Sequence, residues 1–137
     1  MPKLIMGANV TPVRVVVVTM DSHLAGAASR AEAALHRDLP GLQLVMHAAD
    51  EWGNDSAALA SCHADIATAD IVVATMLFLE DHINAVLPAL TARRDTCDAM
   101  LCCMSAGEVM RLTRLGRFTM AGEAKGALSA AAKTIRR

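Results

Sequence analysis

Apolar residues follow two rhythms along this chain. The run VRVVVVTM at 13–20 is β-branched and almost wholly apolar, as expected of a strand covered on both faces in a parallel sheet. From 22 to 38 the rhythm changes: Leu24, Ala28, Ala31 and Leu35 recur at helical spacing, while Arg30, Glu32, Arg37 and Asp38 fall elsewhere. Asp21 or Ser22 can cap that helix, and Pro40-Gly41 stops it. LQLVMHA at 42–48 reads as a second strand and EWGND at 51–55 as a loop, and Asp55 or Ser56 opens a second helix through about Ala67. ADIVVATMLF at 69–78 is a third strand. Ile83, Val86, Leu87 and Leu90 then predict a third helix to about Arg94, with Pro88 as a kink or break inside it. CDAMLCCM at 97–104 is a fourth strand. SAGEVMRLTRLG at 105–116 predicts a fourth helix, with Ser105 as cap, Glu108 in the first turn and Gly116 as the stop.

Strands alternating with helices predict an α/β domain. The expected architecture is an open parallel sheet of about four strands, order 2-1-3-4, in a flavodoxin-like three-layer sandwich with right-handed crossovers. The domain is expected over 13–118. Residues 1–12, broken by Gly7, Asn9 and Pro12, read as an irregular lead-in, and 119–137 as an Ala-rich helix or a linker to downstream domains.

Composition narrows this picture. The length of 137 residues fits one domain, and 54% hydrophobic content with only 2% aromatics implies an aliphatic core. A net charge of -1 argues against a nucleic-acid footprint. Cys62, Cys97, Cys102 and Cys103 form no C-x-x-C pair, so buried, reduced thiols are expected rather than a zinc ribbon or a disulfide framework. The apolar run at 15–18 is far too short for a transmembrane segment, and the N-terminal residues do not read as a signal peptide.

In such a sheet, ligands meet the carboxyl ends of the strands where strand order reverses, here between the first and third strands. Asp21, Ser22 and His23 follow the first strand, and Glu80, Asp81 and His82 follow the third. Ser105 and Glu108 lie farther along the same edge, with Trp52 placed to lean over it. These nine residues are the ligand-binding candidates. A phosphate loop is poorly supported, because TMDSHLAG offers only Gly26, too late in the turn. A phosphoacceptor is rejected, because Thr75 stands where an acidic residue is needed. Carboxylates with imidazoles at Asp21, His23, Glu80, Asp81 and His82 suit a divalent ion, but no ligand spacing marks them.

Plainer roles compete with each of these. Glu80 and Asp81 at a helix start favour the macrodipole by about 0.3–1 kcal/mol each, and Asp21 and Ser22 simply cap; capping is the preferred reading over catalysis. His23 and His82 can close hydrogen bonds across the rim, and His36, His47 and His63 read as surface or satisfied core histidines. The methionines, Met76 and Met104 among them, read as gap-fillers. Arg111, Arg114 and Arg117 read as a solvated helix face, and Trp52 is as good a candidate for an interface contact as for the core.

The stretches VRVVVVTMDSHLAGA, HAADEW, ADIVVATMLFLEDHINAVLPAL and CDAMLCCMSAGEVMRLTRLGRF resemble the N-terminal domain of the large, porphyrin-binding H subunit of magnesium chelatase, over about 13–118. The large subunit of cobaltochelatase is a more distant likeness. The resemblance implies a fragment of a much longer chain, and the Ala- and Arg-rich composition without a transit peptide points to a bacterial, cytoplasmic protein. It implies Mg2+ and protoporphyrin IX as substrates of the full subunit, ATP used by its I and D partner subunits, and a product leading to bacteriochlorophyll or chlorophyll. The family's metal-insertion residues fall in later domains, so no catalytic residue is assigned here and no cofactor is expected on the fragment. Two readings of the fragment remain: an interaction and regulatory module, with self-association as a further possibility, or a metal- or porphyrin-handling rim.

Overall fold

Stiff β-branched side chains favour extended backbone, and they build the centre of the sheet. The computed structural model describes residues 11–120; the lead-in before residue 11 and the segment 121–137 lie outside the described residues. Strand β1 (Val13–Thr19) is flanked by β2 (Leu42–Ala48) and β3 (Ile71–Thr75), and β4 (Ala99–Cys103) lies beyond β3. All four are parallel and run in the expected order 2-1-3-4. The connections are α1 (Ala25–Leu35), α2 (Ser56–Thr68) and α3 (Glu80–Arg93). Asp55 caps α2 by accepting hydrogen bonds from the amides of Ala57 and Ala58. Helix α3 runs unbroken through Pro88, whose ring is exposed.

Two expectations are corrected. The first helix begins late: Asp21 accepts from the His23 amide at 2.9 Å and closes a 3-10 turn, Ser22–Leu24, before α1 starts. The single helix expected over 105–116 is one turn long, α4 (Gly107–Met110). After it the chain forms a hairpin of β5 (Arg114–Leu115) and β6 (Phe118–Thr119), which extends the sheet antiparallel beyond β4. Thr113 explains the change. Its hydroxyl accepts from the Cys102 amide and donates to the Cys102 carbonyl, both at 3.0 Å. One side chain thus satisfies both backbone groups of a buried strand residue, and this holds the chain beside β4. Gly116, at φ 62, makes the hairpin turn instead of ending a helix.

The two faces of the sheet differ. In-register neighbours share a face, so Val16, Val72 and Met100 stand with Val18, Ala74 and Cys102. All six are buried in one cluster with Cys62 and Ile66 of α2 and Ile83, Val86 and Leu90 of α3. On the opposite face Val15, Val17, Ile71, Val73, Ala99 and Cys103 are each only partly buried, and Leu101 is 37% exposed. Helix α1 lies on that side over β2, and none of its residues is buried. Its side chains reach the outer edge of β2: the Leu44 amide donates to Glu32 Oε2 at 2.9 Å, and His36 Nε2 lies 2.6 Å from the Leu42 carbonyl oxygen.

On the filled face, Asp65 of α2 joins two strands. One carboxylate oxygen accepts from Arg14 of β1 at 2.5 Å and the other meets His47 Nε2 of β2 at 2.6 Å. Burial pushes the Asp65 carboxyl up. The hydrogen bonds from His47 and Arg14 and the Arg14 charge outweigh that, and the net effect holds it below the usual carboxylate range.

Candidate functional site

Because β1 and β3 are adjacent and parallel, the turns that follow them leave the sheet at the same edge. Backbone bonds stitch this rim together. The Asp50 amide donates to the Met20 carbonyl at 2.8 Å, the Met76 amide to the Met104 carbonyl at 2.8 Å, and the Ala106 amide to the Leu77 carbonyl at 3.0 Å. Ser105 adds a side-chain link, accepting from the Leu77 amide and donating to the Cys103 carbonyl, both at 3.0 Å. It is not the helix cap its position predicts; Ala106 takes that place without a side-chain bond. Ser105→Ala should strand the buried Leu77 amide and cost about 1–3 kcal/mol, read as a lower urea midpoint. No loss would mean the loop finds another acceptor.

A cavity of about 310 Å3 opens on this rim between α3 and the loop after β2, lined by Trp52, Asp50, Asp81 and His82. The Trp52 and His82 rings meet edge-on, 6.3 Å between centroids. Trp52 is 8% exposed, so the indole is a core residue that also forms a cavity wall. His82 Nδ1 and Thr19 Oγ1 are buried with no hydrogen-bond partner among the described residues.

Of the nine predicted residues, Trp52, Asp81 and His82 share this cavity. The others do not join it. Asp21 is engaged in its cap; Ser22 and His23 are exposed in the 3-10 turn; Glu80 is exposed in the first turn of α3; Ser105 is buried between loops; Glu108 is exposed on α4. Among the described residues, no three of His, Cys, Asp and Glu gather around a point that could hold a metal ion. His36 and His63 bond to carbonyls and His47 to Asp65, as satisfied histidines should. Cys62, Cys97 and Cys102 are buried free thiols, and burial pushes Cys62 and Cys102 up to about 12. Arg114 is not on a solvated helix: it donates to the carbonyls of Arg94 and Cys97.

Periodicity missed one feature of the rim. Met76 and Met104, just past β3 and β4, have φ of 62 and 45, the left-handed region that side chains with a Cβ avoid. Met104 is not a gap-filler; it is 68% exposed. Phe78 and Leu79, in the turn after β3, are each 55% exposed as well. Residues held in the left-handed region persist only where the surrounding structure fixes them; here the bond from the Met76 amide to the Met104 carbonyl ties the two turns together.

Comparison with known proteins adds the following. Residues 14–137 match the family described as a domain of unknown function, DUF3479. The magnesium-chelatase H subunit of Cereibacter sphaeroides is 43% identical over 115 residues, covering 84% of this chain and 10% of the relative. The Rhodobacter capsulatus protein of the same name is 40% identical over 115 residues, again 84% and 10%. The chloroplastic magnesium-chelatase ChlH subunit of Oryza sativa subsp. indica is 31% identical over 115 residues, 82% of the chain and 8% of the relative. The chain thus spans about a tenth of the length of the bacterial relatives it matches. No helix among the described residues is long and apolar enough to cross a membrane.

Proposed function

We propose, from the premise that the chain belongs to the DUF3479 domain family, that it is the N-terminal part of the large H subunit of a magnesium chelatase. The observation that carries this is 43% identity over 115 residues to a protein of that name. The complete subunit would bind protoporphyrin IX and insert Mg2+ into it, on the way to chlorophyll or bacteriochlorophyll, in the bacterial cytoplasm. The I and D partner subunits would supply the ATP-driven step.

Within that assembly this domain serves as an interaction module and carries no catalytic residue. Two features support the reading. The acidic and hydroxyl groups of the rim include Asp21 and Ser105, both committed to holding turns. The exposed Phe78, Leu79 and Met104 offer a surface for the rest of the subunit. Titration with protoporphyrin IX, followed by its absorbance, tests the assignment. The isolated chain is expected to bind about 100-fold or more weakly than the complete subunit, a difference of about 2.7 kcal/mol or more. Full-strength binding by residues 1–137 would place the porphyrin site here and overturn the reading. Phe78→Ser with Met104→Ser in the complete subunit should reduce chelation while leaving porphyrin affinity unchanged. Unchanged chelation would remove the rim from the interface.

A further inference from the structure

The cavity beside Trp52 opens on the most acidic stretch of the chain. Between Arg37 and Arg93 the sequence holds eight Asp and Glu residues and no Lys or Arg, although the whole chain carries a net charge of -1. Asp55, Asp65 and Asp70 are engaged, by the α2 cap, by Arg14 with His47, and by the Arg14 amide. Asp50 and Asp81, on the cavity wall, are exposed and form no ion pair among the described residues. We propose that this cavity binds a guanidinium on its aliphatic stem, presented as an arginine side chain by another polypeptide. This occupant deepens the interaction reading above, on which it rests, by giving the partner's chemistry.

The chemistry of the wall selects it. Two carboxylates with no basic neighbour attract a cation and repel a carboxylate-bearing ligand. Among the described residues no three of His, Cys, Asp and Glu gather around a point, so the donors do not suit a metal ion. Trp52, Leu59 and Ala85 make the rest of the wall aromatic and aliphatic, which suits an organic cation on an apolar stem. An indole attracts such a cation through its ring quadrupole. Arginine fits better than lysine, because its planar, weakly hydrated fork stacks on aromatic rings while bonding to carboxylates. His82 adds an independent sign. It lines the same cavity, its Nδ1 is buried with no partner among the described residues, and buried polar side-chain atoms are nearly always bonded. The volume of about 310 Å3 is at the lower end of ligand cavities, about 300–1,000 Å3, so it takes one side chain and not a helix or strand.

Trp52 is the only tryptophan of the chain, so its emission reads the cavity directly. The experiment titrates the full 137-residue chain with N-acetyl-L-arginine methylamide, and in parallel with the citrulline compound, which has the same shape and no charge. The arginine compound should change the Trp52 emission saturably, and the citrulline compound should bind about tenfold or more weakly. Asp50→Asn with Asp81→Asn should weaken the arginine compound by about the same factor. Asp50→Asn alone, outside helix α3, reads the same contact if the double variant unfolds. No saturable change, equal binding of the two compounds, or equal affinity in wild type and variant overturns the proposal. So does binding of propylguanidinium, the bare side chain, about tenfold or more tightly than the capped arginine, which would assign the cavity to a free small molecule. The porphyrin titration is independent of all these outcomes, so failure here leaves the subunit assignment standing.

Discussion

Ile66→Ala is expected to cost the domain about 2–5 kcal/mol, the range for emptying a fully buried aliphatic site. Ile66 is 0% exposed at the meeting of α2 with the filled face of the sheet, in one cluster with Val16, Val72, Leu90 and Met100. The closely packed interior around it cannot collapse into the space, because the strands are pinned by their ladder. Leu35→Ala is the matched control. Leu35 is 42% exposed on α1, which buries none of its residues, and its loss should stay within about 0.5–1 kcal/mol. Urea unfolding separates the two: the midpoint should fall steeply for Ile66→Ala with the slope unchanged. Equal losses at the two sites would mean that stability is not concentrated on the filled face.

The second large effect is tied to pH. Asp65→Asn removes the charge that Arg14 and His47 share, and hydrogen bonds to a charged partner contribute about 1.5–3 kcal/mol. The Asp65 side chain is 18% exposed, so solvent screens it only in part. The Asp65 carboxyl titrates below its ordinary value in the folded chain, so its stabilisation is fully present above the unfolded value of about 3.9. It is lost as pH falls through the lower, folded value. The substitution should therefore destabilise at pH 7, and the gap between wild type and variant should close as the solution is acidified below about pH 4. A gap that stays constant down to pH 3 would show that the Asn change acts through packing and not through charge.

The sheet was legible because its signals are local. Runs such as VRVVVV and IVVAT, separated by amphipathic stretches, leave few topologies once right-handed crossovers are required. The caps at Asp21 and Asp55 were legible for the same reason, since each bonds to amides two or three residues away, whereas Ser105 bonds across to the Leu77 amide instead of capping. Residues 105–116 were misread because local pattern cannot separate the two outcomes. Gly116 in the left-handed region is equally at home ending a helix or turning a hairpin. What decides is the bond between Thr113 and Cys102, eleven positions apart. The rim was legible in position but not in use. That Trp52, Asp81 and His82 meet in one cavity follows from α3 packing beside the loop after β2, a contact with no trace in spacing. Met104 stands 68% exposed at a left-handed backbone position, and residue spacing reveals neither.

The polar contacts along β2 have a consequence for assembly. An edge strand with free amides and carbonyls invites a stranger's backbone to pair with it, which is how intermolecular cross-β aggregates begin. Here the Glu32 carboxylate and the His36 imidazole already occupy the groups that an incoming strand would seek at Leu44 and Leu42. An extended polypeptide would have to evict both before adding there. Any partner at this margin is thereby steered toward side-chain recognition, and a newly folded sheet is spared a sticky border.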